Sequence, residues 1–228
     1  MQFLSAFALR GRSLALAGVM ALVIAAAPMA ASAHFLGGKW SYGGGVLLPL
    51  SYQNATGGYP AYTSAVSQGA SNWYYTPTPS DLYSVSSSPN IYLSTYSSSA
   101  DSFWAVTRIW ASHTTCIWLL FGNYCWTSND EIPYGAYTSP SGLGSGWGNY
   151  VSSTIAFNRY TMDGLSDFMK TKVATHELGH AQGLGHAYSP NCTSIMQQGN
   201  LAFNTPRDHD KYDFDALYPG YWSFGYSC

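Results

Sequence analysis

The segment His176-Glu177-Leu178-Gly179-His180-Ala181-Gln182-Gly183-Leu184-Gly185-His186 constrains this chain more than any other. Three of the six histidines in the chain fall inside it, with one of its two glutamates. Histidines at i and i+4 share a helix face with their Cβ atoms about 5–6 Å apart. That separation lets both imidazoles reach one metal ion. Gly183 permits a positive φ, which ends the helix and lets the chain turn back so that His186 reaches the same ion. Three neutral nitrogen ligands suit Zn²⁺ and leave a fourth position for water. Glu177 sits beside that face, where its carboxylate can act on such a water as general base without being a ligand.

The rest of the chain predicts one α+β domain with a mixed twisted sheet and two long helices. Residues Tyr59 to Trp73 carry apolar positions at helical spacing, with Val66 four after Tyr62 and Ala70 four after Val66. Leu165 to Gln182 shows the same period, with Leu165, Phe168, Met169, Val173 and Leu178 on or near one face. A third helix is announced by Thr205 as N-cap and Pro206 at the first helical position, with Asp208 and Asp210 where the helix dipole favours acids, and it ends near Tyr218-Pro219-Gly220. Runs rich in Val, Ile, Tyr and Trp predict strands at Asn90–Thr95, Phe103–Trp110, Ile117–Phe121 and Thr154–Asn158. Ser86–Pro89, Ser97–Ser99 and Ser139–Gly146 read as loops.

Arg10 and Arg12, an apolar run from Leu14 to Ala27, Pro28 and the closing Ala31-Ser32-Ala33 have the layout of a cleavable signal peptide over residues 1–33. The expectation is a secreted, extracellular domain over 34–228 with no stable membrane association after cleavage. Cleavage removes two of the nine basic residues and leaves seven against eleven acidic ones. Such a balance cannot neutralise many phosphates, which excludes nucleic acid as a partner. Only 9% of the chain is charged, so uncharged polar groups and tyrosines wet the surface. Four cysteines in an exported chain predict two disulfides. Cys116 and Cys125 flank a hairpin tip at Phe121-Gly122-Asn123, which pairs them and leaves Cys192 for Cys228. His113 and His209 read as solvated residues outside the ligand set. The many Tyr and Trp residues read mainly as core and cross-strand packing.

The spacing H-E-x-x-H-x-x-G-x-x-H resembles that of the metzincin zinc metallopeptidases, and every defined position matches. Metzincins place a Met-turn below the metal, and Met196 in Ser194-Ile195-Met196 is similar to it. Residues 205–220 resemble the C-terminal helix of the matrixin branch. Upstream the likeness is architectural: a first strand near Trp40, a helix, then the sheet. Astacins and serralysins carry a Tyr two residues after the Met, whereas Gln198 stands here. No cysteine lies between Ala33 and Cys116, so cysteine-type latency is not expected.

The chain is expected to be a monomer, and the resemblance implies a protein or peptide as substrate. It implies a secreted endopeptidase in which zinc held by His176, His180 and His186 activates water, with Glu177 as general base. It further implies a substrate extended along an edge strand, and a pocket walled by residues Gln197 to Asn204. Calcium is common in matrixins, but the few acids here form no calcium loop, and Ca²⁺ stays unassigned. Two other readings fit the same motif: an exported glycan- or protein-binding, cell-wall-associated protein with a structural zinc site, and a hydrolase of non-peptide amides.

Overall fold

Alternating apolar positions on short strands bury one face of a sheet against two helices. The computed structural model describes residues 35–41, 47–119, 122–133, 147–188 and 193–219. Its strands are β1 (Leu48–Asn54), β2 (Ser80–Ser84), β3 (Ile91–Tyr96), β4 (Ala105–Leu119), β5 (Gly122–Glu131) and β6 (Trp147–Asn158). Its helices are α1 (Pro60–Tyr74), α2 (Arg159–Met162), α3 (Asp167–Ala181) and α4 (Asp208–Leu217). The sheet order is β2-β1-β3-β6-β4-β5. The first four strands in that order run parallel, while β4 is antiparallel to both β6 and β5. This is a mixed sheet in an α+β domain. Among the described residues no helix is long and apolar enough to cross a membrane.

Leu50 on β1, Ile91 and Leu93 on β3, and Ile155 and Phe157 on β6 are buried, as are Val66 and Trp73 of α1 and Val173 and Leu178 of α3. The indole of Trp73 donates to Thr175 O at 2.8 Å, tying α1 to α3. From Lys170 to Ala181 every residue of α3 is buried. A helix enclosed on all sides has no single apolar stripe, and here its polar ligands lie inside while Phe168, expected on the buried face, is 42% exposed.

Several other expectations change. Trp40 lies outside any strand, and the first strand is Leu48–Asn54. Of the strands expected at Phe103–Trp110 and Ile117–Phe121, Ala105–Trp110 and Ile117–Leu119 are parts of one long β4, because Ser112, Thr114 and Thr115, exposed or half-buried, continue the strand between them; Phe103 and Trp104 precede it, and Leu120 and Phe121 lie outside the described residues. β2 and β5 have no apolar alternation to announce them, and β6 starts seven residues before Thr154. The N-cap of α4 is Arg207 rather than Thr205, since the Asp210 carboxylate accepts Arg207 N–H at 2.7 Å and closes the turn there. His209 is buried and lies 3.5 Å from Asp213. Cys116 and Cys125 are opposite each other on β4 and β5 and are disulfide-bonded. Residues 1–33, the loop Ser139–Gly146, Cys192 and Cys228 lie outside the described residues.

Candidate metal centre

α3 starts at Ser166, whose Oγ accepts Met169 N–H at 3.3 Å. It ends in a backbone motif that follows from Gly183. Gly183 has φ +110°, its N–H donates to His180 O at 2.8 Å, and Leu184 N–H donates to Gly179 O at 3.1 Å. These two bonds make the Schellman closure that an αL residue permits. The remaining carbonyls at the helix end also find donors. Trp40 Nε1 donates to Ala181 O at 2.8 Å, and Tyr218 Oη donates to Gln182 O at 2.7 Å. The turn therefore leaves few carbonyls unsatisfied and carries the chain back to His186.

The three histidines converge. His186 Nε2 lies 3.3 Å from His176 Nε2 and 3.0 Å from His180 Nε2. All three are buried, and their ligand atoms lie within 4.8 Å of one another. Nδ1 of His176 donates to Ile195 O and Nδ1 of His180 to Leu184 O, each at 2.7 Å. Those bonds fix the tautomers and present bare Nε2 lone pairs to the centre, as oriented metal-bound histidines require. Burial holds the pKa values of His176 and His180 well below the ordinary imidazole range and lowers His186 to about 4. The rings are neutral ligands at neutral pH. Lone pairs this close repel unless a cation lies between them, and edges of 3.0–3.3 Å suit nitrogens held at about 2.0–2.1 Å from one ion. The triad fits a metal ion. Among the described residues no other group of three His, Cys, Asp or Glu brings its ligand atoms together.

Glu177 is buried beside the triad, and burial raises its carboxyl to about 7. Thr107 Oγ1 on β4 donates to Glu177 Oε2 at 2.5 Å and opposes that rise, as does the positive charge of Lys172. A carboxyl poised near neutral pH and aimed into a cleft is placed for proton transfer. The cleft is a cavity of about 250 Å³ whose walls include Trp104, Thr107, Lys172, Glu177, Gln198 and Gly199. Along this cavity the outer edge of β4 from Ala105 to Arg108 carries no partner strand among the described residues. Pairing with β5 begins only at Trp110. Antiparallel alternation turns the backbone groups of Ala105 and Thr107 toward that open edge.

Met196 is fully buried, and a Cβ at Gly179 would overlap its Sδ. The missing side chain at Gly179 thus makes room for Met196 under the helix that carries the ligands. The turn holding Met196 is clamped by Asp210, which accepts Ser194 Oγ, Ile195 N–H at 2.8 Å and Met196 N–H at 3.4 Å. Its carboxyl, fully buried, is pushed up to about 6, with these bonds pulling the other way. Because Ile195 O holds His176, Asp210 orients a ligand through one intervening residue. Gln198 and Gly199 wall the cavity, whereas the remaining residues expected in that wall, from Gln197 to Asn204, do not line it.

Four contributors escaped the sequence reading: Thr107, Lys172, the clamp by Asp210 and the Trp40–Tyr218 closure. Only Thr107 had a local signal, a polar residue between the inward positions Ala105 and Ile109 of a strand. No family model matches the chain, and no curated protein matches it.

Proposed function

We propose that this protein is a secreted, zinc-dependent endopeptidase of metzincin type. The reading is carried by one observation: three neutral imidazoles whose Nε2 atoms converge, that of His186 lying 3.3 Å from His176 and 3.0 Å from His180, beside a buried carboxyl at about 7 and open to a cleft. His176, His180 and His186 would hold the zinc, and their nitrogen-only set favours it over Mg²⁺ or Ca²⁺. When bound, zinc supplies Lewis acidity to a carbonyl oxygen and makes water more acidic. Glu177 takes the proton of the attacking water and hands it to the leaving amine. Thr107 holds the Glu177 carboxylate in place, which limits the reorganisation that proton transfer needs. The open edge of β4 offers Ala105 and Thr107 as main-chain partners for an extended peptide, a mode largely indifferent to sequence.

The experiment is cleavage of an unfolded protein by the purified zinc-loaded chain, run beside Glu177→Ala. The expected loss in Glu177→Ala is about 10²–10⁴-fold at unchanged zinc content. Loaded wild type that cuts no peptide overturns the reading. Peptidoglycan fragments run alongside report the non-peptide amide hydrolase, and an inert chain that retains glycan reports the binding protein with a structural zinc site.

A further inference from the structure

Two lysines of α3 are buried, in different ways. Lys170 donates through Nζ to Asp163 O at 3.2 Å and to Leu165 O, carbonyls of the loop that enters its own helix. Lys172 is 2% exposed and lines the cavity one helical turn before His176. Its ammonium has one acceptor among the described residues, Gly199 O at 2.9 Å, and lies 5.7 Å from the centroid of the Trp104 ring. No carboxylate among the described residues comes within ion-pair distance of it. Glu177 attracts it from farther off, but its Oε2 already accepts from Thr107.

An ammonium carries three donors. A charge taken out of water is costly unless it is paired and hydrogen-bonded. Here the missing partner has space reserved for it, since Lys172 borders the cavity rather than packed core. A carboxylate arriving there accepts charge-assisted bonds, a neutral amide leaves the charge uncompensated, and a cation is repelled.

We infer that this cavity selects its substrate through an anionic group: a carboxylate next to the bond to be cut pairs with Lys172 between Trp104 and Gly199. The inference rests on the peptidase reading for what is cut, but not for the binding of the anion. The carboxylate can come from an Asp or Glu side chain or from the end of the substrate chain, and the two sources are separable.

The test has two arms, both on the zinc-loaded protein. In the first, kcat/KM is measured for end-blocked peptides carrying Glu, Gln or Lys at each position flanking the cut, and for the same peptides with a free C-terminal carboxylate. Wild type is expected to favour Glu over Gln by about tenfold or more at one of these positions. A preference seen only with free ends assigns the terminal carboxylate as the source. Lys172→Met is expected to bring the ratio to within about twofold, Lys172→Arg to keep it, and Lys172→Glu to turn it toward Lys. In the second arm, calorimetry compares N-acetyl-glutamate amide with N-acetyl-glutamine amide on wild type and on Lys172→Met, each checked for zinc content and melting temperature. Only the glutamate compound should bind, and only to wild type. Peptides cut with no acidic preference, together with equal binding of the two compounds, overturn the inference and leave the peptidase standing. Glutamate binding that depends on Lys172, in a protein that cuts no peptide, keeps the anion site and removes the peptidase. A preference that survives in Lys172→Met overturns the role of this lysine.

Discussion

The two halves of β4 run in one strand yet live in different surroundings. From Ala105 to Thr107 the strand borders the cavity, and buried Thr107 reaches across to Glu177. Beyond His113 it pairs, among the described residues, with β5 alone, as a two-stranded arm on which Thr114, Tyr124, Trp126 and Thr127 are exposed. In the first half the buried hydroxyl of Thr107 is held by one residue distant in sequence, Glu177. In the second half the partners are the facing strand, a disulfide and water. The comparison teaches that the site draws its rigidity from crossed long-range bonds at the end of α3, and that the arm contributes little to it. Substitutions should therefore hurt the site in proportion to how directly they touch those crossings.

The largest effect belongs to the ligands. His180→Ala removes one of three converging nitrogens and should leave the protein without stoichiometric metal at concentrations that load wild type. Wild type should gain about 3–4 kcal/mol of stability at 100–1,000 times the dissociation constant of the ion, a gain absent from the variant. Melting with and without added zinc, beside elemental analysis of the dialysed proteins, checks both. Equal zinc-dependent shifts in the two proteins would break the assignment of the triad.

Asp210→Asn comes next. An amide in that place turns an NH₂ group toward donors that the carboxylate now accepts from, and an orphaned buried donor costs about 1–3 kcal/mol. The pH dependence has a definite sign. Burial raises the folded-state carboxyl to about 6 from an ordinary 3.8, so between these values the folded chain binds a proton that the unfolded chain does not. Its contribution to stability is full below the unfolded value and declines as pH rises toward 6. The two-unit difference corresponds to about 3 kcal/mol. On protonation Ser194 Oγ can turn from donor to acceptor. In metal-free protein, where the histidine ligands do not add a metal-linked slope, the stability gap between wild type and Asp210→Asn should widen as pH falls from 6 to 4. Urea denaturation across that range measures it, and a gap that narrows would reverse the sign argued here.

What could be read beforehand divides along the same line. His176, Glu177, His180, Gly183 and His186 were legible because their relations are local: helical spacing and one φ value set them. Met196 was singled out through the resemblance alone, and the structure shows it buried under the helix that carries the three histidines. Thr107 was not, because its meaning depends on a residue 70 positions away. Asp210 was assigned to the helix dipole, a local role, whereas the structure has it clamp a turn 14–16 residues earlier. Lys172 was missed because, where α3 is buried on all sides, apolarity no longer marks the inner face. Phe168 lies in the exposed first turn, before the enclosed part of the helix begins at Lys170. β5 escaped because exposure on both faces leaves no alternation to find.

Gly179→Ala tests the packing beneath the ligands. The added methyl meets Met196 and Trp73, and overpacking of this kind costs about 1–3 kcal/mol. Up to about 1 kcal/mol returns from the better helix propensity of Ala. A net loss of stability is expected, and it should be relieved in the double variant Gly179→Ala/Met196→Ala, giving a coupling on the order of 1 kcal/mol. Additive single and double effects would mean that Gly179 and Met196 do not share one space.

The smallest effect at the site should come from the arm. Replacing Cys116 and Cys125 together by Ser opens a covalent link across β4 and β5, whose loop closure is worth roughly 2–3 kcal/mol in the chain-entropy picture. That loss is expected to stay local, because the paired segment begins at Trp110 and the residues that touch Glu177 and the triad lie on the other side of it. Serine variants are preferable to a reducing agent, since thiol reductants bind zinc themselves. Amide exchange should quicken on β5 and on the outer part of β4, and remain unchanged in α3. Zinc affinity should stay within about twofold of wild type, the range of substitutions remote from a site. A tenfold loss of zinc affinity would show that the two halves of β4 act as one, and that the arm helps to position Thr107.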